Sequence, residues 1–341
     1  MLANKKPLTR DSKRSASSRL RAEDPRLPTR PYANVIEAIG HTPLVELQHM
    51  SPKPGVRIFA KLEGSNPSGS VKDRVAKFIV ERAEADGSLN KSQIILEATS
   101  GNTGISISMV GRYKGYRTTV VMPAPLSDEK RRLFEIFGTE VILSESKFGM
   151  KGSIQMAGEM AKNEKKYFNA NQYGNPMNPL AHYETTAPEI LDALPHVDVF
   201  VAGMGTGGTL MGVGKRLKEQ NRAVKIIGVE PKANQYIQGL ISHAGGYRPP
   251  ILDVSLLDRI VPADMNLAVM LTRQLAEQES IFAGISSGAV LASAMTVAKN
   301  LNSGNIVCLL ADGGWKYLST DLWTQKRLAS LDTDQSWCQS P

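Results

Sequence analysis

Four short segments combine small residues, hydroxyls and amide or amine donors at spacings that can hold an anion or carry a nucleophile. The first, NPSGSVKDR at 66–74, puts Lys72 in the first turn of a helix whose apolar face is marked by Val71, Val75, Phe78 and Ile79. A helix N-terminus is an unfavourable place for a cation. A lysine there is more easily kept neutral, as an amine must be to attack an aldehyde. Alone, the segment reads more readily as a surface lysine at a helix start. The second, TSGNTG at 99–104, follows the apolar run IILEA. Thr99, Ser100, Asn102 and Thr103 offer donors suited to a carboxylate, with a plain helix cap as the alternative. The third, GMGTGGT at 203–209, follows VDVFVA and sets four glycines and two threonines at a helix start, a cradle for phosphate. It also holds a loose G-x-G-x-x-G at Gly203, Gly205 and Gly208. Glu230 could nominally serve as the ribose-binding acid of a dinucleotide site, a weak pattern on its own. The fourth, GISSGA at 284–289, reads alone as a helix cap at Ser286 or Ser287.

These segments sit where strand runs give way to helices. Runs rich in Val and Ile at 56–62, 92–97, 117–122, 140–143, 197–202, 224–229 and 305–310 are mostly unalternated, as in strands covered on both faces. Helical patterns fall at about 103–113, from Ser127 to a stop at Gly138, and at about 150–164, 208–220, 264–278 and 288–300. The alternation predicts an α/β protein with largely parallel sheets. In such sheets ligands bind at the carboxyl ends of strands, against helix N-termini.

With 341 residues, 41% hydrophobic and 22% charged, the chain suits one large domain or two that share a cleft. No apolar run approaches the ~18 residues of a membrane span, and MLANKKPLTRDSKRS lacks the apolar stretch of a secretory signal. The two cysteines, Cys308 in IVCLL and Cys338 in a polar tail, argue against a disulfide framework. With the five histidines they show no ligand spacing for a catalytic metal. A reducing cytoplasm fits best.

The net charge of +8 is concentrated at the start: residues 1–30 hold nine basic and three acidic side chains, six of the eight net charges. This Ser/Arg-rich segment predicts a disordered basic arm. Other readings are an electrostatic arm for an acidic partner or nucleic acid, or an organelle-targeting peptide, against which Asp11, Glu23 and Asp24 count. No base-reading module accompanies it. Residues 325–341 read as a loose tail.

In order, GHTPLVEL, NPSGSVKDR, EATSGNTG, NQYGNP, GMGTGGT, GISSGA and DGGWKYLST resemble the cysteine synthase family, the O-acetylserine or O-phosphoserine sulfhydrylases among fold-type II pyridoxal-phosphate enzymes. The resemblance runs over about 33–320. It implies two mostly parallel sheets covered by helices, in two domains with the cofactor in the cleft between them. Residues 60–177 would carry Lys72 and TSGNTG, and 31–59 with 178–324 the phosphate loop. Lys72 would bond pyridoxal phosphate and Asn102 would sit beside the ring hydroxyl. Gly205, Thr206, Gly207, Gly208 and Thr209 would hold the phosphate, and Ser286 would face the pyridine nitrogen. Thr99, Ser100, Thr103 and Gln172 would hold the substrate carboxylate.

The implied reaction is β-replacement on an activated L-serine. Lys72 takes the α-proton as general base, the acetyl or phosphate group leaves Cβ, and sulfur adds to the resulting aminoacrylate to give cysteine. A serine at the ring nitrogen makes a weaker electron sink than a carboxylate would, which favours elimination over transamination. Family sulfur donors are sulfide, thiosulfate and a thiocarboxylated carrier protein, and the expected assembly is a homodimer. NQYGNP and DGGWKYLST look closest to the phosphoserine-using branch. Lys232, in VEPKANQY, is expected near the substrate mouth against a substrate phosphate, with a solvated loop lysine as the alternative.

Serine or threonine dehydratases and cystathionine β-synthase share the lysine and the glycine loop, but TSGNTG with NQYGNP favours the sulfhydrylase. A partner-binding scaffold would not need an intact Lys72 and a complete cofactor shell. One departure from the family pattern is Ala187 in HYETTAPEI, where glycine is common before Pro-Glu; the methyl is expected at a turn. His41 and His182 are read as structural hydrogen-bonding histidines.

Overall fold

The computed structural model describes residues 31–99, 101–125, 128–242, 247–320 and 322–323. The arm at 1–30, Ser100, Ser127 and the tail at 325–341 with Cys338 lie outside the described residues. The chain divides into two units, Met1–Ala38 and Ile39–Pro341. In the described part of the first, Asn34 Oδ1 accepts the N–H groups of Ile36 and Glu37 at 2.9 and 3.1 Å, closing a turn.

The second unit contains two sheets. β1 (Leu44–Glu46) and β2 (Val56–Leu62) begin the larger one. β3 (Ile94–Ala98), β4 (Arg117–Pro123), β5 (Glu140–Ser144) and β6 (Tyr167–Asn169) form the smaller, in the order β5-β4-β3-β6 with every pair parallel. β7 (Val199–Gly203), β8 (Lys225–Pro231), β9 (Arg259–Ala263) and β10 (Gly304–Leu310) complete the larger, in the order β1-β2-β10-β7-β8-β9. Only its β1–β2 pair is antiparallel. The boundary expected at residue 60 falls inside β2, which pairs with β10 along its whole length.

The connecting helices are α1 (Lys72–Ala85), α2 (Asn102–Lys114), α3 (Asp128–Ile136), α4 (Gly149–Asn163), α5 (Met177–Ala181), α6 (Ala187–Ala193), α7 (Gly208–Gln220), α8 (Met265–Glu279) and α9 (Ile285–Ala298). α8 and α9 cover one face of the larger sheet and α7 the other, which is why its strands read as continuous apolar runs. In β7, Val199 and Val201 join Ile58, Ile306 and Cys308 in a core shared with α8 and α9. Phe200 and Ala202 point the other way, joining Phe59, Val307 and Leu309 in a core shared with α7.

Ala187 departs from the turn expected of it. A π-helical turn, His182–Thr186, runs directly into α6, and Ala187 has helical φ −68° and ψ −46°. Its methyl is fully buried, and alanine suits helical backbone better than glycine would. No helix among the described residues is long and apolar enough to cross a membrane.

Candidate active site

The carboxyl ends of β3 and β7 and the start of α1 open on one cavity of about 730 Å³. Lys72, Thr99, Asn102, Thr103, Gln172, the loop from Gly205 to Thr209 and Ser286 all line it.

Lys72 is the first residue of α1. The chain before it is held to a distant segment: Val71 N–H donates to Ala311 O at 2.9 Å, and Gly313 N–H to Gly69 O at 3.1 Å. Asp73 fixes the turn from behind, accepting the Ser68 N–H at 2.7 Å and the Ser106 hydroxyl at 2.6 Å. Desolvation lowers the Lys72 amine from 10.5 to about 8, against the opposing charges of Asp312 and Glu63. Such an amine is neutral far more often at neutral pH than a surface lysine.

In the TSGNTG loop, Thr99 Oγ1 accepts the N–H groups of Gly101 and Gly104, both at 3.2 Å, and so braces the turn that leads into α2. Thr103 Oγ1 donates to Gln172 Oε1 at 2.6 Å, and Gln172 Nε2 donates to Ala98 O at 3.2 Å. The buried Glu97 accepts the Gln172 N–H at 3.2 Å. Burial raises its carboxyl from 4.5 to about 8, against the bonds from Gln172 and Ala98. Being largely protonated at neutral pH, Glu97 does not place a full negative charge beside a site suited to carboxylate.

The glycine loop enters α7 through Gly207, at φ +88°. The first-turn N–H groups of a helix have no intrahelical acceptor, and with the helix dipole they favour phosphate. Thr206 Oγ1 is held in place, accepting Asn178 Nδ2 at 2.9 Å and the Gly208 N–H at 3.3 Å. Thr209 Oγ1 lies 3.3 Å from His182 Nε2, while His182 Nδ1 lies 3.0 Å from Thr186 Oγ1. Burial, then the charges of Lys72 and Arg74, hold His182 well below its usual range, so it is a neutral hydrogen-bonding residue. Ser286, buried at the start of α9, faces the same cavity.

Among the described candidates, Lys232 alone does not line the cavity. Its N–H extends the β8–β9 pairing to Ala263 O at 2.9 Å, and its ammonium lies 3.0 Å from Asp264 Oδ2. In this arrangement the pairing and the carboxylate hold the Lys232 side chain at Asp264, away from the cavity lining. Conversely, the cavity includes Asp312, Lys316 and Tyr317, to which sequence reasoning gave no role. The three belong to the motif DGGWKYLST, whose charged and hydroxyl side chains are the signal for them in the sequence. Asn178, just beyond NQYGNP, was missed as well.

The donor set fits pyridoxal phosphate. Lys72 is an amine available to an aldehyde, the α7 start can hold a phosphate, and Asn102 and Ser286 offer neutral hydrogen-bonding groups for ring substituents. A family model described as "Pyridoxal-phosphate dependent enzyme" matches residues 35–312. A cysteine synthase of Staphylococcus aureus (strain N315) is 39% identical over 305 residues, covering 86% of this chain and 98% of that one. Cysteine synthase B of Escherichia coli (strain K12) is 40% identical over 295 residues, covering 86% and 97%. The crystal structure of cysteine synthase (OASS) from Entamoeba histolytica superposes with a TM-score of 0.82 at 39% identity, covering 88% of this chain and 93% of that one. The chain therefore belongs to the family of pyridoxal-phosphate dependent enzymes, with pyridoxal phosphate as its cofactor.

Proposed function

We propose that this chain is a cysteine synthase, replacing the acetyl or phosphate group of an activated L-serine with sulfur. The observation that carries the reading is the meeting, in one cavity, of the Lys72 amine, the glycine loop at the α7 start and the Thr99–Thr103–Gln172 cluster. Relatives named cysteine synthase at 39–40% identity support it.

Bound pyridoxal phosphate supplies an electron sink for the pair left on Cα when its proton is removed. The rest falls to the chain's own side chains. Thr99, Thr103, Gln172 and the loop N–H groups hold the substrate carboxylate, and the loop from Gly205 to Thr209 holds the cofactor's phosphate. Asn102 would meet the ring hydroxyl. Ser286 gives the ring nitrogen a neutral partner, which keeps the sink moderate and favours loss of the β-substituent.

Lys72, once its nitrogen is free, takes the α-proton; an amine poised near 8 can both accept and return a proton at neutral pH. The leaving group departs with the Cβ–O electron pair. The sulfur nucleophile then forms the Cβ–S bond, and the proton goes back to Cα. Sulfide, thiosulfate and a thiocarboxylated carrier protein are the candidate donors. A homodimer and a cytoplasmic location belong to the same reading.

The test is direct. The purified protein should be yellow and form cysteine from sulfide with O-acetylserine or O-phosphoserine, and Lys72→Ala should lose both colour and turnover. Normal turnover by the alanine variant, or no cysteine from either serine ester, would sink the proposal.

A further inference from the structure

A buried carboxylate stands near Lys72 that the reaction above does not use. Asp312 is 3% exposed and lines the cavity. Backbone pairing puts it there. Ser70 and Asp312 are bridge partners, flanked by the bonds from Val71 to Ala311 and from Gly313 to Gly69. On the other side the Gly284 N–H donates to Asp312 O at 3.0 Å. A Cβ on Gly284 would stand 2.1 Å from Asp312 Oδ1, so only glycine leaves room for the carboxylate. Asp312 is thus wedged between the approaches to α1 and α9.

Asp312 Oδ2 accepts Asn102 Nδ2 at 2.7 Å and the Tyr317 hydroxyl at 2.9 Å. The other end of the same amide, Asn102 Oδ1, accepts Lys316 Nζ at 2.7 Å. An acceptor facing the nitrogen and an ammonium facing the oxygen fix which way the amide points. One N–H of Asn102 is then left for a ligand.

We infer that Asp312 is a positioning residue of the cofactor site, fixing the Asn102 amide and holding negative charge beside the nitrogen that Lys72 contributes. This rests on the reading of Lys72 as the point of cofactor attachment. Asp312 and Glu63 favour the protonated form of the Lys72 nitrogen, and the nearby His182 is neutral. Burial raises the Asp312 carboxyl above its usual range; Lys316, Asn102, Tyr317 and Lys72 oppose this and favour its carboxylate, and the charge of Asp73 acts on Lys316. A negative charge near a titrating nitrogen raises its proton affinity, so removing that charge lowers it.

The test uses the holoenzyme and follows the visible absorption of the bound cofactor against pH. Asp312→Asn keeps the shape and removes the charge. It is expected to lose the band of the protonated form at a pH about one unit or more below the parent, with near-UV circular dichroism unchanged. Asp312→Ser should shift in the same direction and carries the test where the asparagine variant folds poorly. A folded, yellow variant that holds the band to the same pH as the parent overturns the inference. A colourless parent overturns it together with the proposed function, so the two failures are distinguishable.

Discussion

Thr103 and Gln172, 69 residues apart in the chain, meet through a 2.6 Å hydrogen bond from Oγ1 to Oε1. The bond ties the first turn of α2 to the segment after β6, and both residues are buried. Gln172→Ala would leave the Thr103 hydroxyl without its acceptor and remove one donor from the carboxylate site. An unpaired buried polar group costs about 1–3 kcal/mol. The Michaelis constant for the serine substrate should rise about tenfold, with a smaller change in kcat. Steady-state kinetics checks this; a fall in kcat alone would take Gln172 out of carboxylate binding.

The Lys72 amine predicts a pH dependence of cofactor capture. Burial lowers it to about 8, so the neutral, nucleophilic form is rare below that pH and dominant above it. The rate at which apoenzyme binds pyridoxal phosphate should therefore rise through neutral pH and level off above about 8. An unperturbed lysine would give a rate still climbing toward pH 10. Stopped-flow absorbance over that range separates the two.

Much of this site was legible because its chemistry sits at strand-to-helix junctions. IILEA followed by TSGNTG, and VDVFVA followed by GMGTGGT, announce β3–α2 and β7–α7 by composition alone. Three strands escaped notice. β1 and β6 are three residues each, too short for periodicity, and β9, RIVPA, is an exposed edge strand containing proline. The Asp312–Asn102–Lys316 cluster was hidden for a different reason: its hydrogen bonds join residues more than 200 positions apart, and local pattern carries no trace of them. Lys232 is a different case. Its partner Asp264 lies 32 residues on, and without the β8–β9 pairing the ammonium looked free to face a substrate.

Behind Lys72 a buried charge cluster should dominate stability. Arg74 Nε lies 2.8 Å from Glu63 Oε2 and its Nη2 2.9 Å from Glu63 Oε1; Glu189 receives Arg74 Nη1 and Lys61 Nζ, both at 2.6 Å. Glu63→Ala leaves Arg74 short of a counter-charge in a dry interior, a loss of about 3–5 kcal/mol that thermal or urea unfolding would register. A cost under about 1 kcal/mol would mean that water or a shifted Glu189 replaces Glu63. Burial alone would raise the Glu189 carboxyl, but Arg74 and Lys61 bring it from 4.5 to about 2. Its contribution is therefore fully present above about pH 4.5 and is lost as the pH falls toward 2.

Lys232 is held by Asp264 rather than by the cavity. Its side chain, 51% exposed, pairs through the ammonium with Asp264 Oδ2 at 3.0 Å. Asp264 is itself committed: its Oδ1 caps α8 by accepting the Leu267 N–H at 3.1 Å, and Gln235 Nε2 reaches its Oδ2 at 3.4 Å. An exposed pair of this kind is worth about 0–1 kcal/mol, so Lys232→Ala should change stability by no more than that. With the side chain held outside the cavity, the variant should alter kcat/KM for O-phosphoserine and for O-acetylserine by the same factor, close to one. The alternative is that Lys232 exchanges Asp264 for the phosphate of a bound substrate. Losing a charge-assisted hydrogen bond of about 1.5–3 kcal/mol would then lower kcat/KM about tenfold or more for O-phosphoserine alone. Because such a contact is electrostatic and partly exposed, the selective loss would also shrink as salt is raised. Measuring both esters at low and high ionic strength therefore tests the pairing with Asp264: a selective, salt-sensitive loss would show that the pair opens during the reaction, and equal effects would leave Lys232 on the surface.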